Sequence, residues 1–364
     1  MKNKKQKIYF KIFTIVLLIV LSQRAILLPV QFSSTTIVNA VGIDKLQTGY
    51  EVSMQVITPK FETGVIKNMI YYSSKDSTIS KCFQNLSVNL GKNLEFAHLN
   101  AIVLSNNIIE SENLNNVMNV FTNSKTQNQN ALIVATPLLA STILQVEKVE
   151  NTIYDIANFL NKSGRFSTLK QILKKDSNTP LLLPLVEVAE NNTVNNEETQ
   201  ENNIFTEKEL KYNGAMFFIN GNEKKQVLSK EDWENLSLLN TEKNIFLSLE
   251  GLNEEILVTN TNAKIKALVY NNIPRLNAKI TVNIKKPNEN INNEFLKLQV
   301  KLKIQEKLRK GFLKLKQNTL DVFSFWKLFY AYENEDWKLI LSEEQENYFS
   351  KLELFANIKV NIKS

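Results

Sequence analysis

The chain has 364 residues, with 43% hydrophobic and 22% charged residues. Such a length accommodates roughly two or three domains with real cores and excludes wholesale disorder. Nine glycines, one histidine and one cysteine exclude glycine-rich phosphate loops, intramolecular disulfides and His/Cys zinc sites. The formal charge of +7 belongs to the N-terminus: Lys2, Lys4, Lys5, Lys7, Lys11 and Arg24 precede Asp44, the first acid. Without those six, 38 of the 44 basic residues face 37 acidic ones, so no overall charge excess marks the body as nucleic-acid-binding.

Lysines before an apolar run, Ile12 to Leu21, form the charged and apolar regions of an export signal. The run is short for a membrane span, which needs about 20 residues. A second apolar piece, Ala25 to Val30, follows Arg24. No small-x-small cleavage site stands out, and no cysteine near the run marks a lipid anchor. Residues 1–32 are expected to be a signal or anchor segment. The positive flank stays cytoplasmic, which places the rest of the chain outside.

Strands are expected at Ile37–Ile43 and Tyr50–Ile57, joined by the turn 44–49, and at Ile66–Ser73. Helical spacing of Ile79, Cys82, Phe83, Leu86 and Leu90 predicts a helix over Ser77–Leu90. A short buried strand at Ala101–Leu104, a helix at Leu114–Phe121, a strand at Ala131–Thr136 and helices near 138–147 and 151–162 follow. The Asn/Glu-rich stretch 187–203 reads as a linker or long loop. Beyond it, strands are expected at Ala215–Ile219, Ile245–Leu249, Ile256–Thr259, Ala263–Tyr270 and Ala278–Ile284. Glu294–Gln317 opens with alternation and continues as a helix. Helices at Leu320–Tyr332 and Glu343–Phe349 precede a closing strand, Glu353–Ile362. The whole reads as a multi-domain α+β chain: an N-terminal α+β domain over 36–186, a connecting stretch over 187–206 and a C-terminal α+β domain over 207–364.

No constellation carries obvious chemistry. Asp44-x-Leu46-x-Thr48-Gly49 places glycine as a calcium loop does, but Leu46 and Gln55 occupy ligand positions, so a plain turn is expected. His98 sits in an apolar setting, Glu95-Phe96-Ala97-His98-Leu99, and is expected to be structural. Cys82 on an apolar helix face behaves as a small hydrophobe. The lysine-rich helix from Lys297 to Lys316, with Ile304, Leu308, Phe312 and Leu315 on one face, is more a core helix with solvated lysines than a membrane-lying one. Glu343, Glu344 and Glu346 sit on one turn and read as solvated acids rather than an opposed catalytic pair. No catalytic, cofactor-binding or metal-binding residue is expected.

Three blocks nevertheless carry a resemblance. Val38 to Pro59 holds a strand ending in Gly42-Ile43-Asp44, a turn and a strand ending at proline. Ser77 to Leu104 holds a helix, His98 and an apolar strand. Leu320 to Ile362 holds Asp321-x-Phe323, Trp337 and a terminal strand, while Glu209 to Ile219 resembles the strand that opens a C-terminal domain. In order and spacing these blocks resemble the Ger(x)C family, the C subunits of nutrient germinant receptors of spore-forming bacteria, over residues 36–364. The resemblance implies a non-enzymatic subunit at the spore inner membrane, on the extracytoplasmic side, working with two integral membrane subunits of A and B type, without cofactor or nucleic acid. Family members usually carry a lipobox cysteine after the apolar run; here Ser22-Gln23-Arg24 stands there. The competing expectation is an exported envelope solute-binding protein, which requires a deep cleft with convergent polar groups. Crowding of Phe323, Phe325, Trp326, Phe329, Tyr330, Tyr332 and Trp337 makes the C-terminal domain the expected contact surface.

Overall fold

A computed structural model describes residues 35–59, 67–122, 128–146, 153–162, 166–174, 180–193, 205–218, 226–239, 245–249, 255–286, 291–319, 321–333, 335, 337–338 and 348–363. The N-terminal segment 1–32 expected as signal or anchor lies outside these, as do Glu343, Glu344 and Glu346. The fold is α+β with two sheets and flanking helices. The chain divides into two compact units. One holds Met1–Gly164, Thr168–Leu173 and Glu187–Leu210; the other holds Arg165–Ser167, Lys174–Val186 and Lys211–Ser364.

In the first unit, β1 (Thr35–Lys45), β2 (Tyr50–Pro59) and β3 (Lys67–Asp76) form an antiparallel meander. At the β1–β2 turn Gly49 has φ +95°, and a Cβ there would lie 2.3 Å from the Asp76 carbonyl oxygen. Only glycine fits that turn. Helix α1 (Ile79–Leu90) starts where the Thr78 hydroxyl accepts the Lys81 N–H and stops at Gly91, in the left-handed conformation. It buries Ile79, Cys82 and Leu86, the face that its spacing predicts. Strand β4 (Asn93–Glu95) pairs with the start of β1, and β5 (Ala101–Ser105) runs parallel beside β1. Then come α2 (Asn106–Ser111), α3 (Leu114–Asn119) and β6 (Leu132–Thr136), parallel to β5. Every residue of β5 and β6 is buried, which is why these runs are apolar without alternation. The order is β3-β2-β1-β5-β6. Helices α4 (Ala140–Leu144), α5 (Ile153–Lys162) and α6 (Leu169–Leu173) complete the unit.

Strands β7 (Leu181–Thr193) and β8 (Phe205–Phe218) are neighbours. The first part of the Asn/Glu-rich stretch is therefore strand, and 194–204 lie outside the described residues. In the second unit β9 (Gln226–Ser229) pairs with β8 and leads into α7 (Lys230–Ser237). A separate sheet has the order β10-β11-β12-β13: β10 (Ile245–Ser248), β11 (Glu255–Tyr270), β12 (Ile273–Lys285) and β13 (Glu353–Lys363). The two strands expected at 256–259 and 263–270 are one, β11, irregular between Thr259 and Asn262. Asn271 and Asn272, with φ 49° and 61°, turn it into β12. Asparagine tolerates this conformation, as a two-residue hairpin requires.

Between β12 and β13 lie α8 (Asn293–Gln317), α9 (Trp326–Tyr332) and α10 (Tyr348–Lys351). Asn292 caps α8 by accepting the N–H groups of Glu294 and Phe295, so the helix begins at its first turn rather than after a stretch of alternation. Leu296, Val300, Ile304, Leu308, Phe312 and Leu315 are buried, as the core-helix reading expects. The helix expected from Leu320 starts only at Trp326.

Candidate functional site

In the first unit, buried and half-buried polar side chains gather at the end of β1. Asp44, fully buried, accepts the backbone N–H groups of Ala140 at 2.7 Å and Ser141 at 3.0 Å. This carboxylate is thus a structural cap at the first turn of α4. Next to it, Lys45 donates to Glu112 at 2.6 Å and to the Tyr50 hydroxyl at 2.9 Å, and that hydroxyl donates to Glu112 at 2.7 Å. The Glu112 hydrogen bond, then the Tyr50 one, hold Lys45 above its ordinary range; Lys45, then Tyr50, hold Glu112 below its own. Both groups stay charged across neutral pH. That suits a closed ion pair and not an acid–base catalyst poised near pH 7.

Cys82 is buried, its Sγ 3.5 Å from the Tyr50 carbonyl oxygen. Burial pushes its thiol up, away from the reactive thiolate. His98 corrects its expectation. The side chain is exposed rather than packed in apolar surroundings, while Leu99 beside it is fully buried. In the turn 96–100 the Leu99 N–H donates to the Phe96 carbonyl at 3.1 Å, and the His98 carbonyl accepts from the Asn100 side-chain amide at 2.8 Å. Among the described residues no group of three His, Cys, Asp or Glu side chains converges as a metal site does.

In the second unit, Asp321 anchors the aromatic segment. Its carboxylate accepts from the N–H groups of Phe325 (2.7 Å) and Trp326 (2.9 Å) and from the Tyr348 hydroxyl. Burial raises Asp321 above the usual carboxylate range against the pull of those donors. Burial, followed by the neighbouring carboxylate, pushes Tyr348 far above its ordinary value. The aromatic residues split. Phe325, Phe329 and Trp337 are core, with Phe329 and Trp337 stacked at 4.9 Å and Trp337 edge-on to Tyr348 at 4.8 Å. Tyr330 and Tyr332 are the large aromatics of this stretch that face solvent. Three of the seven aromatics from which a contact surface is expected are thus interior and two face solvent; within α9 the helical turn sends Phe329 inward and Tyr330 outward.

Beside this core, α8 and β13 border an open groove of about 820 Å³, floored by Leu308, Phe312, Leu352 and Leu354 with Arg309 and Lys316 at its margin. Phe295, Leu298, Leu302 and Leu313 recur on the adjoining outer face of α8, each about half exposed. Sequence reading missed this second apolar stripe, although its three-, four- and seven-residue spacing is visible in the chain.

Residues 30–188 match the family model described as spore germination protein N-terminal domain, and residues 213–364 match that described as spore germination B3/GerAC like, C-terminal. The chain belongs to the GerAC-like, or Ger(x)C, family of spore germination proteins. No curated protein matches it. A solved structure, "Crystal Structure of the GerBC protein", superposes with a TM-score of 0.57 at 15% identity, covering 89% of this chain and 97% of the other. At that identity the likeness speaks for the fold. In this GerAC-like chain, Asp44 and Asp321, which the resemblance blocks contain, are both helix-start caps, so these motif carboxylates organise structure. No helix among the described residues is long and apolar enough to cross a membrane.

Proposed function

We propose that the protein is a non-enzymatic, membrane-associated subunit of a spore nutrient germinant receptor. The observation that carries this reading is the succession of the two germination-family models along one chain, over 30–188 and 213–364. In this reading residues 36–186 and 207–364 act as two germination domains, and 1–32 brings them to the spore inner membrane with the bulk of the chain outside. Two integral membrane subunits of A and B type complete the receptor. The chemistry of the described side chains supports a scaffold role. Glu112, Lys45, Asp44 and Asp321 are each engaged in holding the fold, and Cys82 is withdrawn from reaction.

The test is co-isolation. An affinity-tagged full chain, purified from spore membranes in mild detergent, is expected to bring down two multi-span membrane proteins in fixed proportion. Recovery of the chain alone, under conditions that keep the two membrane proteins associated with each other, contradicts the reading.

A further inference from the structure

The solvent face of the β10–β13 sheet is basic in a chain whose body is nearly neutral. Side chains alternate along a strand, and on β12 the even positions from Pro274 to Ile284 are all buried. The odd positions point the other way, together with their registered partners on β11 and β13. Lys264 on β11 lies directly opposite Lys279 on β12, and Lys285 on β12 directly opposite Lys363 on β13. Lys266 and Lys359 lie on the same face, opposite Asn277 and Thr281. All six lysines are exposed, and none has an ion-pair partner among the described residues. The acids of this face among the described residues are engaged: Glu353 with Arg275 at 2.7 Å, Glu255 with the Ser248 hydroxyl at 3.0 Å.

Like charges directly opposite each other on a sheet are destabilising. Two such pairs in one sheet leave a positive face that an anion would neutralise. The kind of anion follows from three features. Apart from Arg275, which is paired with Glu353, the cations are lysines, which act as hydrated point charges and not as the guanidinium forks that read carboxylates or phosphates in pairs. They are spread along the strands over roughly 26 Å of the sheet face, from the Asn277 register to the Lys285 register at about 3.3 Å per residue. Large aromatics flank them: Phe246, Tyr270 and Phe355 are 63%, 55% and 51% exposed. The last two bracket Arg275, at 4.7 Å and 5.4 Å from its guanidinium carbon. Distributed lysines with rim aromatics match the charge and the polar–apolar boundary of an anionic bilayer surface.

We propose that this face docks on anionic lipid headgroups and so orients the second unit against the membrane. The inference rests on the membrane-associated reading above for where the bilayer is met. Its test does not involve germination, so either can fail alone. Full-length protein is reconstituted into vesicles of phosphatidylcholine, with or without phosphatidylglycerol, and lysine acetylation is followed by mass spectrometry. Lys264, Lys266, Lys279, Lys285, Lys359 and Lys363 should label several-fold more slowly in the anionic vesicles and recover at high salt. Lys314, exposed on α8, should label equally in both. In the Lys264→Gln/Lys279→Gln variant the remaining four should lose most of that protection, while its melting temperature equals or exceeds that of the unchanged chain. Equal labelling in both vesicles overturns the proposal. Protection that needs co-reconstituted membrane subunits and ignores lipid charge also overturns it, and assigns the face to an acidic protein surface.

Discussion

Asp44 and Ala140 stand 96 residues apart, yet the Asp44 carboxylate accepts the Ala140 backbone N–H at 2.7 Å inside the core. The link ties the end of β1 to the start of α4. Replacing Asp44 with alanine orphans two buried donors, so Asp44→Ala should cost about 2–4 kcal/mol and Asp44→Asn clearly less. Urea denaturation of the full chain measures both.

Gly42 is needed for the same packing. A Cβ there would lie 2.5 Å from the Ser53 Oγ and 3.1 Å from Ala140 and Leu144 side-chain atoms. Gly42→Ala should cost about 1–3 kcal/mol through overpacking. The Ser53 hydroxyl is buried without a hydrogen-bond partner among the described residues. Ser53→Ala should therefore be nearly neutral or stabilising, and should recover part of the Gly42→Ala loss. A double-mutant cycle that shows strict additivity contradicts this geometry.

Much of this was legible in the chain and some was not, for identifiable reasons. The α1 face of Ile79, Cys82 and Leu86 and the all-buried β5 and β6 follow from local periodicity, which one segment displays by itself. The role of Asp44 is invisible there, because its partners lie far along the chain; locally the residue looks like part of a turn. In the same way Lys264 and Lys279 become neighbours only through the β11–β12 register. Strand β7 contains Pro184, which weakens any strand reading. Aromatic crowding near Trp326 announced importance without direction, and the helix then sent Phe329 inward and Tyr330 outward.

That division makes a contrast of its own. Trp337 is fully buried and Tyr332 is 71% exposed. Trp337→Ala should cost about 3–5 kcal/mol, whereas Tyr332→Ala should stay within about 0.5 kcal/mol. Comparable losses at both positions would mean that the aromatic stretch packs differently.

Asp321 sets a pH dependence in the second unit. Its folded pKa is raised by burial above the ordinary 3.8, so between the two values the folded state holds the extra proton. Stability from this group therefore falls as pH rises from about 3.8 through the raised value. Tyr348→Phe removes a donor to the carboxylate and raises its pKa further. The variant should lose about 1–3 kcal/mol near neutrality and less in acid. Urea titrations at several pH values check this, and a loss independent of pH contradicts it.

Disruption of the gene tests most directly whether the protein serves the spore's response to nutrients. In a strain without redundant family members, spores should form in normal number and yet lose or slow their germination with at least one nutrient, and the intact gene should restore it. Normal germination of the disrupted strain with every nutrient tested would contradict the receptor account.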